Sequence, residues 1–457
     1  MTDFEAIVVG AGTAGAVTAY AIAKNGYSVL LIDRKRKESI GAKTCGDALA
    51  SHHPKRLRTL IGLPEIPKRI IEHVIVGMDL ISPNREHRLQ LRGPTIEGLS
   101  LNRIKFGQWL LSLAEKEGAE IMASTKVNRL LIDGGKVSGV VVDYASGEQQ
   151  KSITGRVVVD ATGAAGALRR QLPSSSPIER EVAKQDMMVA WRSILEIPDY
   201  TFENPNILEV YWNQNQTPGG YTWVFPKGEH RVNIGVGLLT LPGHKGPREV
   251  FDRFVRLNWD FMKEKLVDID SSGGIAPMRR PIDTMVDDNF VLVGDAACQV
   301  NPVHGGGIGP SMLGGALAGI FISEALEAND TSINSLWSYN SRYMKSYGVK
   351  QAALDIFKWY LLSVTNDEID FAFDKGVIKG SDLLSVSVTG EMKTTRREKL
   401  KRLMAGVGNV PFLRRVSKVS KIMAEMRMIC ADYPESPQDL EKWQVRVYPL
   451  YEAAKFV

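Results

Sequence analysis

The first thirty-three residues constrain the fold more than anything else in the chain. Residues 4–9, FEAIVV, form a β-branched apolar run suited to a buried parallel strand, and Gly10-Ala11-Gly12-Thr13-Ala14-Gly15 follows at once. Residues 16–25 have helical composition, Gly26 ends that helix, and residues 28–32 supply a second strand closing on Asp33. GxGxxG alone is a weak signal; a strand before it, a helix after it and an acid ending the next strand are the context it requires. Gly10 makes the tight turn, Gly12 lets the backbone approach a pyrophosphate, and Gly15 permits close helix–strand packing. The helix start offers free N–H groups and partial positive charge to phosphates, and Asp33 accepts from ribose hydroxyls. This is a Rossmann-type βαβ unit.

Beyond it the pattern alternates. Residues 103–117 read as a helix, followed by strand-like stretches around Ile121, at 127–132 and at 137–144. Residues 157–163, VVVDATG, form another buried strand ending in a turn of small residues. From 177 to 283 the chain is β-rich, with prominent Trp, Tyr and Phe, as suits a separate sheet walling a pocket. A short apolar strand returns at 290–293, and beyond about 335 the sequence is helical and increasingly basic. The expected fold class is mixed α/β. It comprises a discontinuous nucleotide-binding domain (1–176 and 284–334), a β-rich substrate domain (177–283) and a helical C-terminal region (335–457).

Residues 290–310, FVLVGDAACQVNPVHGGGIGP, carry a second motif: strand, Gly-Asp, then a glycine-rich helix start. It resembles the second flavin motif of the aromatic-hydroxylase-like flavoproteins. That resemblance implies FAD, with Asp295 at the ribityl chain and residues 305–309 aiming amides at the pyrimidine edge, where reduced flavin carries negative charge. No recognisable flavinylation motif is present, so FAD is expected to be non-covalent.

Three stretches narrow the family. They are residues 43–48 (KTCGDA), 301–307 (NPVHGGG) and 218–226 (PGGYTWVFP), the last followed after eight residues by Gly235-Val236-Gly237. Together they resemble the archaeal geranylgeranyl reductases, FAD enzymes that saturate the isoprenoid chains of ether lipids. Residues 351–357, QAALDIF, carry the likeness into the C-terminal helices. The resemblance implies flavin contacts at Ala14, Asp33, Cys45, Gly46, Ala48, Arg103, Val127, Asp295, Gly307 and Ile308, with Arg103 a charge-assisted donor to the pyrophosphate. It also implies a lipid cavity lined by Tyr221, Trp223, Phe225, Pro226, Gly235 and Gly237. Tyr221, Trp223 and Phe225 alternate, so they share one face of a strand, either a cavity wall or an aromatic core stripe.

Reducing an isolated trisubstituted alkene takes hydride at one carbon, from flavin, and a proton at the other. Cys45 is the first candidate donor, since a thiol of reference pKa about 8.5 is mostly protonated at neutral pH. Its alternative role is a small packing residue beside the ring. His304 is the second candidate; the helix start just beyond it disfavours imidazolium and argues for an orienting role. Cys298 and Cys430 read as buried hydrophobes.

The alternatives share the same flavin motifs. Aromatic hydroxylases have an Asp-Gly turn near mid-chain, where this chain has Thr162 within 160–169, and commonly a His where it has Cys298. Flavin-dependent halogenases carry Trp-x-Trp-x-Ile-Pro, and here Tyr221 replaces the first Trp. A membrane-associated electron-transfer flavoprotein would add closely spaced cysteines. Only one complete Rossmann fingerprint is visible, which points to an external electron donor, a ferredoxin or NAD(P)H.

Composition excludes other classes. With 44% hydrophobic and 24% charged residues over 457, the chain is no disordered tail, collagen or disulfide scaffold. Three cysteines leave one unpaired and predict a reducing compartment, and no iron–sulfur or other metal cluster is expected. The opening residues lack a secretory leader, and no apolar run reaches the roughly 18 residues that span a bilayer. The expectation is a cytoplasmic protein, at most peripheral on the inner membrane face. Residues 393–427 hold eleven Lys or Arg against two Asp or Glu, either a solvated helix face or a contact with anionic lipid. No aromatic platform accompanies them, so nucleic acid is not an expected partner.

Overall fold

The computed structural model describes residues 2–144, 150–198, 200–239, 245–259, 265–391 and 409–456. Phe4–Val9 lies between Val29–Ile32 and Lys151–Asp160, parallel to both, and the helix Thr13–Lys24 crosses between the first two strands. Phe290–Leu292 continues the parallel sheet beyond Lys151–Asp160, and Glu120–Met122 extends its other side. An antiparallel ribbon, Thr125–Asp133 with Lys136–Tyr144, joins the first half of Lys151–Asp160. The glycine turn and the Gly-Asp motif therefore both leave the carboxyl ends of parallel strands, one strand apart. Ligands of open α/β sheets bind at those ends.

The helix Ile308–Glu327 packs against Thr13–Lys24 at close range. A Cβ built at Gly315 would lie 2.5 Å from the Ala14 carbonyl oxygen, and one at Gly319 2.4 Å from Ala21 Cβ. Ile308–Glu327 has the length and apolarity to cross a membrane, but most of it is buried inside the protein, as a core helix is.

The second sheet has seven strands: Val267–Pro277, Met187–Glu196, Arg231–Leu239, Tyr221–Pro226, Ile207–Tyr211, Gly77–Ile81 and Arg88–Arg92 in order. Its last two strands come from within 1–176, ahead of the start at 177 that the sequence suggested. Packing explains their place: Met78 and Leu80 lie against the Trp223 and Phe225 cluster, completing an apolar face that 177–283 alone leaves short. A small sheet of Ala48–Ala50, Gly98–Leu101 and Ile71–Ile75 sits beside it. The helices Val349–Ser363, Gly380–Thr389, Val410–Ala431 and Leu440–Lys455 follow.

Of the basic residues at 393–427, the six at 393–402 lie outside the described residues. On Val410–Ala431, Arg415 pairs with Glu368 and Arg427 with Glu391, while Arg414, Lys418 and Lys421 are exposed.

Candidate active site

A cavity of about 780 Å³ lies where the two larger sheets and the C-terminal helices meet. Gly12, Thr13 and Ala14 border it from the first motif, and Gly294, Asp295 and residues 305–309 from the second. Residues 43–48 and Arg103 border it as well. Tyr221, Trp223, Phe225 and Gly237 line it too, with Leu208, Leu354 and Phe357 among its apolar side chains. Gly10, Gly15, Asp33, Val127, Pro226 and Gly235 are not on its surface.

Those six have other work. Gly10 takes φ +106°, and a Cβ there would lie 2.3 Å from the Ala161 carbonyl oxygen. A Cβ at Gly15 would strike the Gly10 carbonyl oxygen, whereas one at Gly12 meets nothing within 4 Å. Gly10 and Gly15 thus build the turn, and Gly12 leaves its cavity side open. Asp33 holds the turn from behind: its carboxylate accepts from the backbone N–H of Ala11 at 2.7 Å and of Lys35 at 2.8 Å. Each oxygen keeps a further lone pair for a ribose hydroxyl. Val127 pairs with Val142 in the antiparallel ribbon. Gly235 backs the Trp223 indole, with no room for a Cβ, and Pro226 ends the strand.

The site fits a dinucleotide with flavin. Arg103 is buried at the first position of the helix Arg103–Lys116 and donates to Thr13 Oγ1 at 3.2 Å. Its Nε and Nη1 are buried without a partner, so the guanidinium, whose Nη2 already reaches the glycine turn, keeps unused donors. An anionic pyrophosphate satisfies both. The helix Ile308–Glu327 begins at Gly307 with no side-chain cap and no acid in its first turn, leaving its N-terminal amides open to a negative group.

The turn carrying Cys45 is tethered residue by residue. Lys43 pairs with Asp295 at 2.6 Å, and Thr44 donates to the Gly273 carbonyl at 2.8 Å. Asn233 Nδ2 donates to the Cys45 carbonyl at 2.8 Å and to Asp47 Oδ2 at 2.9 Å. Asp47 sits at φ +63°, a left-handed conformation that costs a non-glycine residue energy unless its surroundings impose it. What imposes it is Lys227, buried, which donates to Asp47 Oδ2 at 2.7 Å and to the Leu101 carbonyl at 2.9 Å and pairs with Glu72 at 2.6 Å. Trp223 Nε1 donates to Asn233 Oδ1 at 2.9 Å, joining the aromatic wall to the same network. A Cβ on Gly46 would lie 2.7 Å from the Phe225 ring, so the turn also touches the wall directly.

Cys45 is a free thiol whose Sγ accepts from the Asp47 N–H at 3.3 Å. Burial pushes its pKa up, and the Asp47 carboxylate adds to the rise, so the proton stays on sulfur. His304 borders the cavity. Burial, then the charge of Lys350, pulls it down to about 4, leaving a neutral imidazole. Its Nδ1 accepts from the Gly306 N–H at 3.1 Å, which puts the ring proton on Nε2, and its carbonyl accepts from Tyr221 Oη–H at 2.6 Å. Burial holds the Tyr221 phenol well above its ordinary value. His304 therefore holds no readily given proton near neutrality.

Sequence reasoning named Lys43 and Asp47 only as part of the 43–48 stretch, without a role, and missed Lys227, Asn233 and Glu72. Two left a trace: Asn233 interrupts an apolar strand, and Lys227 directly follows the FP that ends another. A polar residue there must find a partner, but the chain does not say which.

The chain matches the family model described as FAD binding domain over residues 3–342. It is 33% identical over 445 residues to the digeranylgeranylglycerophospholipid reductase of Sulfolobus acidocaldarius, covering 97% of this chain and 96% of that one. To digeranylgeranylglycerophospholipid reductase 2 of Methanopyrus kandleri it is 30% identical, over 76% of this chain and 83% of that one. Among solved structures, a geranylgeranyl bacteriochlorophyll reductase-like protein from Thermoplasma acidophilum superposes with TM-score 0.74 at 23% identity, covering 91% and 99% of the two chains. A flavin-dependent brominase gives TM-score 0.64 at 17% identity, over 92% and 98%. At those identities the structures share the fold.

Proposed function

This chain belongs to the digeranylgeranylglycerophospholipid reductases, FAD-binding-domain flavoproteins, and we propose that it saturates the isolated C=C bonds of geranylgeranyl chains in ether-lipid precursors. One observation carries the reading: a single cavity is lined both by the two nucleotide motifs and by an aromatic, apolar wall. A lipid chain fits such a wall, and the cofactor end fits FAD. When bound, the flavin supplies the hydride.

The rest is the work of this chain's residues. Tyr221, Trp223 and Phe225 exclude water and align the chain; successive rings lie 6.1 and 6.3 Å apart, too close for a chain to pass between them, so it lies along them. Cys45 holds a proton at Sγ, on the turn that the wall strand itself anchors. His304 fixes Tyr221 through its carbonyl. We place the source of electrons outside the chain, in a ferredoxin or NAD(P)H. Contact with an anionic membrane surface from the cytoplasmic side is assigned to Val410–Ala431, where exposed Arg414, Lys418 and Lys421 accompany exposed Val410 and Met428.

The test is anaerobic. The bound flavin is reduced with dithionite, geranylgeranyl lipid is added, and flavin absorbance and lipid mass are followed together. Reoxidation should accompany a gain of about two mass units per double bond. Flavin that stays reduced, with lipid mass unchanged, would overturn the assignment.

A further inference from the structure

The helix His52–Ile61 buries three side chains, His53, Leu57 and Ile61, spaced four residues apart on one stripe. Two are aliphatic. The third is an imidazole, 9% exposed, and no described residue makes a hydrogen bond to its ring. A leucine would continue the stripe without the cost of burying a polar ring that has no partner. Packing alone does not account for a histidine here.

Its surroundings show what does. His53 borders the cavity, as residues 305–309 do. A Cβ built at Gly309 would lie 2.2 Å from His53 Cδ2 and 2.3 Å from Nε2, so this edge of the ring rests on the Gly309 backbone, and only a glycine leaves room for it. Gly309 is the second residue of the helix Ile308–Glu327, the one whose N-terminal amides are uncapped. Neither this helix nor His52–Ile61 carries an acid in its first turn, so no carboxylate from either competes for those donors. Two rings seat the imidazole: His52 at 4.1 Å between centres, and Tyr347, on the π-helical turn Met344–Gly348, at 6.2 Å. Burial, ahead of the neighbouring cationic groups, holds the His53 pKa well below the ordinary histidine value. The ring is therefore neutral and carries one N–H.

Free helix amides beside a buried, unpartnered N–H call for a ligand edge made of acceptors. The pyrimidine edge of a flavin is such an edge, and on reduction it takes up negative charge. A hydrogen bond to a charged acceptor is stronger than one to a neutral acceptor, so a donor fixed there favours the reduced form. We propose that His53 is a cofactor-binding residue whose ring N–H meets the pyrimidine edge of the bound flavin, beside the helix amides, and raises the flavin potential. This rests on FAD occupying the cavity and extends that reading: His53 eases reduction by the external donor at the expense of driving force for hydride transfer to the lipid.

The test is the midpoint potential of FAD in the flavin-loaded enzyme, measured without lipid. His53→Leu, which continues the apolar stripe, should weaken binding of reduced FAD at least about tenfold relative to oxidised FAD. That lowers the potential by about 30 mV or more, while affinity for oxidised FAD moves less than about threefold. His53→Gln, whose amide N–H reaches about as far as Nε2, should recover most of the shift. Gly309→Ala, which drives the imidazole from its seat, should lower the potential in the same direction and add little to His53→Leu. An unmoved potential in His53→Leu would mean that the ring packs, or meets lipid if the lipid KM rises, and overturns the proposal. So would a Gln variant as low in potential as the Leu variant, or equal weakening of oxidised and reduced FAD. A parent that binds no FAD would bring down the flavin site itself, whereas equal potentials in flavin-loaded parent and variant sink this proposal alone.

Discussion

Removing the cation beneath the Cys45 turn should be among the most damaging single changes in the protein. Lys227 is 2% exposed and faces Asp47, 1% exposed, and Glu72, 12% exposed. Lys227→Met keeps the length and apolar stem but leaves two carboxylates facing each other with no ammonium between them. Breaking a buried pair from one side costs about 3–5 kcal/mol, because the surviving charge cannot return to water. At about 1 °C per kcal/mol for a chain of 457 residues, the melting temperature of the flavin-loaded enzyme should fall by roughly 3–5 °C. Asp47 loses what holds its left-handed backbone, so flavin should be retained less well at ambient temperature too.

The sharper part of the prediction is the double variant. Adding Asp47→Asn to Lys227→Met removes one of the stranded charges, while Glu72 keeps Asn102 Nδ2 at 3.1 Å and Arg231 at 3.8 Å. The double variant should therefore be more stable than Lys227→Met alone, recovering more than half of the lost melting temperature. A merely steric role for Lys227 predicts the reverse, since each change would add its own damage. A melting temperature for Lys227→Met within a degree or two of the parent, or a double variant less stable than the single, refutes the reasoning.

Three further outcomes follow from the same geometry. Arg103→Gln deletes donors that no protein group occupies, so the apo fold should melt normally while FAD affinity falls about 10- to 100-fold, read by titrating flavin-free protein; unchanged affinity would place the pyrophosphate elsewhere. Gly235→Ala puts a Cβ 2.1 Å from Trp223 Cζ2, so the indole must shift and loosen its 2.9 Å bond to Asn233. Lipid KM should rise while the flavin spectrum holds, and a normal KM would show that the wall does not bind the chain. For Cys45 the active form is the thiol, and burial and Asp47 raise its pKa, so turnover of reduced enzyme should be level through neutrality and fall only as pH rises through that elevated pKa. Asp47→Asn should move the fall to lower pH, and Cys45→Ser should cut turnover by roughly 10²-fold or more. His304, already neutral, should contribute no step in the neutral range; near-normal turnover in Cys45→Ser would remove the acid role.

What could be read from the sequence was local. The glycine turn declares itself because strand, helix and Asp33 lie within thirty-three residues, and the Gly-Asp motif because a strand and a glycine-rich helix start flank it. The second sheet was legible only in part. Gly77–Ile81 is five residues long and pairs with Ile207–Tyr211, so nothing in its own neighbourhood names its partner. The Cys45 turn shows the same division. Its residue types stood out, but Lys227 and Asn233 reach it from about 180 residues away, and their meaning depends on a backbone conformation at Asp47 that the letters do not display.

That turn is held unequally, and the inequality bears on how the site works. Its link to the second flavin motif is Lys43 to Asp295, where the carboxylate is buried but Lys43 is half exposed, so water and salt reach the ammonium and weaken the pair. Its links to the wall strands are buried: Lys227 to Asp47, and Asn233 to both Asp47 and the Cys45 carbonyl. The turn is therefore mechanically part of the lipid wall more than of the nucleotide-binding half. If a ribityl hydroxyl displaces Lys43 from Asp295, Cys45 keeps its place relative to Trp223 and Phe225. On the proposed roles, proton and lipid chain would then stay in register whether or not cofactor is bound, and cofactor binding would need only to bring the hydride to a site whose other two parts are already fixed to each other.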